Sequence, residues 1–267
     1  LEHFWIFPLL GVVAGVLAGL LGIGGGLVLV AALVWVLPLF GIPKEAAMHA
    51  ALASSLASIV LTATSSAYAH HRRGSVMWPT VAWMVPGLLL GGWLGSGLAV
   101  YLDDNVLRWV VAIYCLIAGA QMAFGKTRNG AGAAGPAPPP RGWPMTAVGT
   151  GIGAVSAVVG IGGGSMTVPV LVWHGIAPVR AVGTSSACGV AIAIGSALGY
   201  ALHAPPGALP AHAVGYVYLP AAIGVAVASV LAAPWGTRLA HAIGGTALKR
   251  VFAIFMVVMG ISILVAG

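Results

Sequence analysis

Gly22-Ile23-Gly24-Gly25-Gly26 interrupts an uncharged, mostly apolar run over residues 5–40, and the same pentapeptide returns at Gly160-Ile161-Gly162-Gly163-Gly164 inside the run 142–173. A continuous helix over the first run would reach about 54 Å at 1.5 Å per residue. The hydrocarbon core of a bilayer is only about 30 Å thick. The run therefore has to break or fold. Glycine, the residue that most readily takes left-handed backbone angles, marks the place. Arms of 17 and 14 residues flank the first break.

Composition says why lipid is the relevant solvent. Of 267 residues, 60% are hydrophobic and only 6% charged, where soluble domains carry about 25% charged residues. Uncharged runs also cover 46–69, 75–102, 109–125, 181–202, 214–237 and 251–267, near or above the roughly 18 residues that mark a spanning helix. The chain reads as an all-α polytopic membrane protein. Its net charge of +7 comes from basic residues between apolar runs, which reads as anchoring to an anionic leaflet and not as nucleic-acid binding. Cys115 and Cys188 lie within apolar runs and make no disulfide framework. No basic stretch precedes the first apolar run, so no cleavable signal peptide is expected.

The pattern is written twice. Gly160 follows Gly22 by 138 positions, and Trp173 follows Trp35 by the same offset. Ala53-Ser54-Ser55 answers to Gly183-Thr184-Ser185, Pro86 to Pro220, and Ala112-Ile113-Tyr114 to Ala253-Ile254-Phe255. An ordered series of this kind implies two homologous halves. We expect repeats over 1–125 and 142–267, joined by a cytoplasmic linker over 126–141 that contains Pro138-Pro139-Pro140.

Charge placement orients the halves. With four crossings per half the basic residues split five against six and show no bias. If each Gly-rich segment folds back as a hairpin, three crossings remain per half. One face then collects Arg72, Arg73, Lys126, Arg128, Arg141, Arg180, Arg238, Lys249 and Arg250, and the other keeps Lys44 and Arg108. That split obeys the positive-inside rule, and an odd number of crossings makes the repeats inverted. The expected fold is thus two inverted-topology repeats, each a Gly-rich helical hairpin plus three spanning helices; eight or ten full spans are the alternative.

A hairpin tip inside the membrane must face protein or a water-filled cavity. The helix that begins after it presents free N–H groups and the positive end of its dipole, and glycine lets an anion approach closely. Two such tips meeting near the midplane would make an anion site without a buried cation. The candidate residues are Gly24, Gly25 and Gly26 at one tip and Gly162, Gly163 and Gly164 at the other, with Ser165 and Thr167 as added hydroxyl donors. Ser54, Ser55, Thr184, Ser185 and Ser186 follow, because hydroxyls at a repeated position suit an oxyanion, although such groups also bond their own helices. His49 is a candidate substrate or proton ligand, and Arg180 an interfacial anchor that could draw anions to a vestibule. Cys188 reads as a small core residue.

Gly91, Gly92, Gly95 and Gly97 give one run a small-residue face for close helix packing. Glu2, Glu45, Asp103 and Asp104 all fall at segment ends, so no mid-membrane carboxylate is expected as a cation relay. The histidines make no metal-site spacing, and neither metal nor other cofactor is expected. A membrane-embedded enzyme has no Gly-x-Ser-x-Gly or His-Glu-x-x-His motif to rest on, and Gly-Ile-Gly-Gly-Gly is no dinucleotide or P-loop fingerprint.

The two Gly-Ile-Gly-Gly-Gly runs, Ala53-Ser54-Ser55-Leu56 and Gly183-Thr184-Ser185-Ser186 resemble the TauE/SafE sulfite exporter family over almost the whole chain. That resemblance implies an inner-membrane permease for sulfite or a small organosulfur anion. It carries the glycines of both tips and the hydroxyls of both Ser/Thr motifs over as site residues. Ser54 stands where the family commonly has Thr, and Ser186 where it commonly has Leu. A secondary exporter is the leading expectation, a passive anion channel the next, and a membrane-embedded enzyme the third. Export needs no coupling ion, because a negative interior favours anion exit by about 2.3 kcal/mol per charge per 100 mV. Coupling to protons through His49 stays open, as does the oligomeric state.

Overall fold

The computed structural model describes residues 4–21, 25–124, 139–242 and 245–265, and among them it is almost entirely helical. The first break falls where the glycines put it. α1 (Ile6–Leu21) ends before it and α2 (Gly26–Val36) begins after it, with the short 3-10 turn Leu37–Phe40 completing the second arm. α3 (Ala47–Arg72), α4 (Trp78–Val100) and α5 (Asp104–Phe124) follow as long helices. The expected linker lies mostly outside the described residues. The second half repeats the order: α6 (Trp143–Val159), α7 (Gly164–Trp173), α8 (Pro178–Leu202), α9 (Leu219–Ala242) and α10 (Gly245–Val265).

Lengths sort the helices into two kinds. α2 and α7, with 11 and 10 residues, reach about 15–17 Å, half of what the hydrocarbon core requires. α3, α4 and α8 have 23 residues or more, and among the described residues they supply the three spans long and apolar enough to cross a membrane. The chain is a multi-pass all-α membrane protein.

Packing exchanges the halves. α1 lies along α9, and α6, which stands at the same place in the second half, lies along α4. α3 packs on α8 and α5 on α10, each against its own counterpart. Glycines make the close approaches possible. On α4, Gly87, Gly91 and Gly95 face the backbone carbonyls of Thr146, Thr150 and Ala154 on α6, with no room for a Cβ. The expected small-residue face is therefore present and divides between partners: Gly92 meets Ser196 of α8, and Gly97 meets the ring of His203. Gly91→Val is expected to lower thermal stability in detergent by about 1–3 kcal/mol through overpacking. Gly151→Ala, where an added Cβ meets nothing, should leave the melting temperature unchanged or raise it.

One element departs from the expected run over 214–237. Before α9 begins, Ala213–Val214 (β1) pairs antiparallel with Val217–Tyr218 (β2) around Gly215 at φ 57°. Tyr216, Val217 and Tyr218 are buried there and the second strand packs against α3, while Val214 on the first strand is exposed.

Candidate functional site

Gly25 opens α2 in the left-handed conformation, φ 65° and ψ 2°, and no side chain caps the helix. Its missing Cβ would lie 2.6 Å from the carbonyl oxygen of Ala14, about two turns back along α1. The chain has therefore doubled back on itself, as a hairpin tip must. At the second break Gly160 closes α6 at φ 76°, and Gly163 opens α7 at φ 74°, again without a side-chain cap. Gly163 comes back against α6 within 3.5 Å of Ser156 Oγ, measured from its absent Cβ. Left-handed backbone of this kind costs a non-glycine residue about 1–2 kcal/mol. Gly22, Ile23 and the candidate Gly24 lie outside the described residues.

The two tips meet. A Cβ on Gly26 would sit 2.5 Å from the carbonyl oxygen of Gly160 and 3.5 Å from Cα of Ile161. Ile59 of α3 packs against both tips, close to Gly26 and to Gly162. On the other side Gly189 of α8 approaches the Gly162 carbonyl.

The hydroxyls of the Ser/Thr motifs divide into tied and untied groups. Ser54 Oγ accepts a hydrogen bond from the Tyr218 N–H (3.0 Å), and Thr184 Oγ1 accepts one from the Met77 N–H (3.0 Å). Each thus holds the residue just before a long helix of the opposite half, α9 for Ser54 and α4 for Thr184. These two hydroxyls stitch the halves together. Ser55 Oγ donates to the Gly26 carbonyl at 3.0 Å and fastens α3 to the first tip. Ser186 donates to Val182 O and receives Ser66 Oγ at 3.2 Å. Ser165 Oγ pairs with the Tyr114 hydroxyl of α5.

Ser156 Oγ, Thr167 Oγ1 and Ser185 Oγ are different. All three residues are at most 1% exposed, and none of these oxygens has a hydrogen-bond partner among the described residues. They come from α6, α7 and α8. Ser156 lies against Gly163, and Thr167 stands in the first turn of α7, its N–H bonded to Gly163 O at 2.9 Å. Ser185 is the counterpart of Ser55, which reaches the first tip. An unsatisfied buried hydroxyl costs about 1–3 kcal/mol, so Ser156 and Thr167 beside the start of α7, and Ser185 on the adjoining α8, are donors with no acceptor among the described residues. Beside them the first N–H groups of α7 lack intrahelical acceptors, as at any helix start.

The tips are chemically unequal. At the 138-residue offset Ser156 corresponds to Ala18, Ser165 to Leu27 and Thr167 to Leu29. At these three positions the first half carries aliphatic side chains and the second half hydroxyls. Ser156 was not among the residues picked from the sequence. Its signal was there in the departure from Ala18, in a segment otherwise repeated.

His49 and Arg180 stand apart from the tips. Arg180, in the first turn of α8, is half-buried and forms no ion pair among the described residues. His49 is buried at the start of α3, where its Nδ1 lies 3.3 Å from Asp104 Oδ1, Arg108 Nε donates to Asp104 Oδ2 at 2.9 Å, and the Met48 N–H donates to Asp104 Oδ1 at 2.9 Å. Asp104 is at a segment end, as the sequence places it. Its side chain is nevertheless only 9% exposed, and it caps α3 from the neighbouring helix. Sequence reading saw the position and missed the environment. A cavity of about 500 Å³ between α3, α4 and α8, lined by Tyr68, Trp78, Val81, Leu89, Val190 and Ile194 among others, has almost wholly apolar walls and offers an anion no partner. No group of three metal-ligating side chains occurs among the described residues.

Paired glycine tips between exchanged halves are the geometry in which comparison with known proteins becomes decisive. The sequence pattern of the family described as "Sulfite exporter TauE/SafE" matches residues 7–263. The chain belongs to this family. A "Probable membrane transporter protein" of Haemophilus influenzae is 32% identical over 257 residues, covering 95% of each chain. A protein of the same description from Methanocaldococcus jannaschii is 24% identical over 229 residues, 83% of this chain and 81% of its own. One from Bacillus subtilis is 30% identical over 112 residues, 42% of this chain and 38% of its own. No solved structure matches. Family and relatives alike indicate membrane transport and not an enzyme. The TauE/SafE pattern takes in both tips and every candidate residue from Gly24 to Ser186.

Proposed function

We infer that the chain is a secondary transporter that exports sulfite or a small organosulfur anion across the inner membrane. The anion is held near the midplane where the two Gly-rich tips meet. The observation that carries this reading is the set of buried hydroxyls unpartnered among the described residues, Ser156 and Thr167 beside the uncapped start of α7 and Ser185 on α8, which packs against it. Hydroxyl donors, free N–H groups and a positive helix end suit an oxyanion with several acceptor oxygens. Gly25, Gly26, Gly162, Gly163 and Gly164 bring backbone close to it; Gly24 belongs to the same tip by sequence. Ser55 and Ser165 support the tips through Gly26 and Tyr114, while Ser54, Thr184 and Ser186 join helices around them. Arg180 draws anions toward the mouth.

The exchanged packing of α1 on α9 and α6 on α4 supports two repeats, 1–125 and 142–267, related by a two-fold axis. The positive-inside split supports an axis in the membrane plane and a cytoplasmic linker over 126–141. Half-length α2 and α7 favour re-entrant hairpins over ten full spans.

Purified protein in liposomes should show saturable flux of labelled sulfite, thiosulfate or a sulfonate, accelerated by an inside-negative potential on the side that drives exit. Flux that rises linearly with concentration would favour a channel. An absence of anion flux under every gradient would end the transport reading of this site.

A further inference from the structure

We propose that His49, with Asp104, is a proton-binding site that makes transport through this protein pH-dependent. The proposal goes beyond the anion site, from which His49 stands apart, and adds a second ligand, the proton.

The geometry of the imidazole carries it. Both ring nitrogens face oxygen acceptors: Nδ1 lies 3.3 Å from Asp104 Oδ1, and Nε2 lies 3.1 Å from the carbonyl oxygen of Ala99. A neutral imidazole has one N–H and one lone pair, so it satisfies only one of the two. With Nδ1–H donated to the carboxylate, the lone pair of Nε2 points at the lone pairs of the carbonyl. A proton taken from solution onto Nε2 turns that opposition into a second hydrogen bond. Two acceptors facing one ring suit an imidazolium, which donates from both nitrogens.

The surroundings suit a bound proton. Asp104 and Arg108 come from α5, the Ala99 carbonyl from the end of α4, and the ring of Tyr216, stacked on His49 with centroids 4.8 Å apart, from the β-hairpin. Burial, and then the charge of Asp104, raise the pKa of the Tyr216 phenol, which stays neutral. Among the described residues no other acidic or basic side chain forms an ion pair with this cluster, and Lys44 and Glu45 on the preceding turn are exposed. Arg108 and Asp104 cancel, so the cluster is neutral with neutral His49 and carries one positive charge when the proton binds. Arg108 Nη1, buried and without a partner, stands beside it.

The site is placed to be felt at the tips. The protonated ring ties α3 to both α4 and α5, and loss of the proton releases the tie to Ala99. The hairpin that stacks on His49 through Tyr216 also donates from the Tyr218 N–H to Ser54, and the next residue, Ser55, holds the Gly26 carbonyl. One helix, α3, thus carries the proton site and the anchor of the first tip.

The test reads the proton and the flux separately. In protein labelled with ¹⁵N-histidine, the His49 signals, assigned by their disappearance in His49→Gln, should pass from both ring nitrogens protonated at the acid end of a pH series to one protonated at the alkaline end. Sulfite flux in liposomes should change severalfold over that range in the wild type and lose this dependence in His49→Gln. A single neutral tautomer throughout, or an unchanged pH profile in the variant, would overturn the proposal. Absence of flux at every pH would remove the transport reading and the coupling with it; the proton site would then stand or fall on the nitrogen signals of the wild-type protein alone.

Discussion

Asp104→Ala is expected to destabilise the protein by about 3–5 kcal/mol, the cost of removing one partner from a buried charge pair. Three donors lose their acceptor at once: the Met48 N–H, the His49 ring and Arg108 Nε. Arg108 is only 6% exposed and has one guanidinium nitrogen unpartnered already, so its charge would be left uncompensated inside the bundle. The start of α3 would also lose its cap, although that is the smaller part, typically about 1 kcal/mol. Thermal unfolding in detergent measures the total. Asp103→Ala is the matched control: the neighbouring side chain is exposed and outside the cluster, and its loss should stay within about 0.5 kcal/mol. Equal effects for the two would show that the buried network contributes nothing.

Thr167→Val and Ser185→Ala should each weaken apparent anion affinity by about 10- to 100-fold. A hydrogen bond to a charged group contributes about 1.5–3 kcal/mol, and every 1.4 kcal/mol is about a factor of ten. Neither hydroxyl has a hydrogen-bond partner among the described residues, so removing it breaks no bond found there, and folded yield and melting temperature should hold. Ser54→Ala is expected to behave in the opposite way. It leaves the buried Tyr218 N–H without its acceptor, so stability falls while affinity in the folded fraction changes little. If Thr167→Val and Ser185→Ala lowered yield and left the concentration dependence of flux alone, the three hydroxyls would be packing groups and the anion would bind elsewhere.

The contrast between Ser54 and Ser185 shows where reading the chain stopped. Both sit in repeated Ser/Thr motifs, and the sequence offers both alike as hydroxyls for an oxyanion. Whether a buried hydroxyl serves the protein or a ligand depends on which donor or acceptor lies within about 3 Å, and that atom belongs to the other half, more than a hundred residues away. Ser54 and Thr184 meet the N–H groups of Tyr218 and Met77; Ser185 meets nothing. Asp104 gives the same lesson with charge. Its place at a segment end was legible, but its burial depends on α3, α4 and the hairpin closing over it.

The sequence by itself determined the solvent, the helical class, the two breaks and the doubling of the pattern. These follow from local quantities: the scarcity of charge, the length of each apolar run against the bilayer, and glycine at an ordered offset. It also carried the family, because the tip and Ser/Thr motifs are contiguous. Tertiary structure decided that Gly26 rests on Gly160, that Ser156 and Thr167 lie unpartnered beside the second tip, and that His49 sits between two acceptors. Those features are distances between segments remote in the chain. Hydrophobic periodicity does not encode them, since it says which face is buried and not against what.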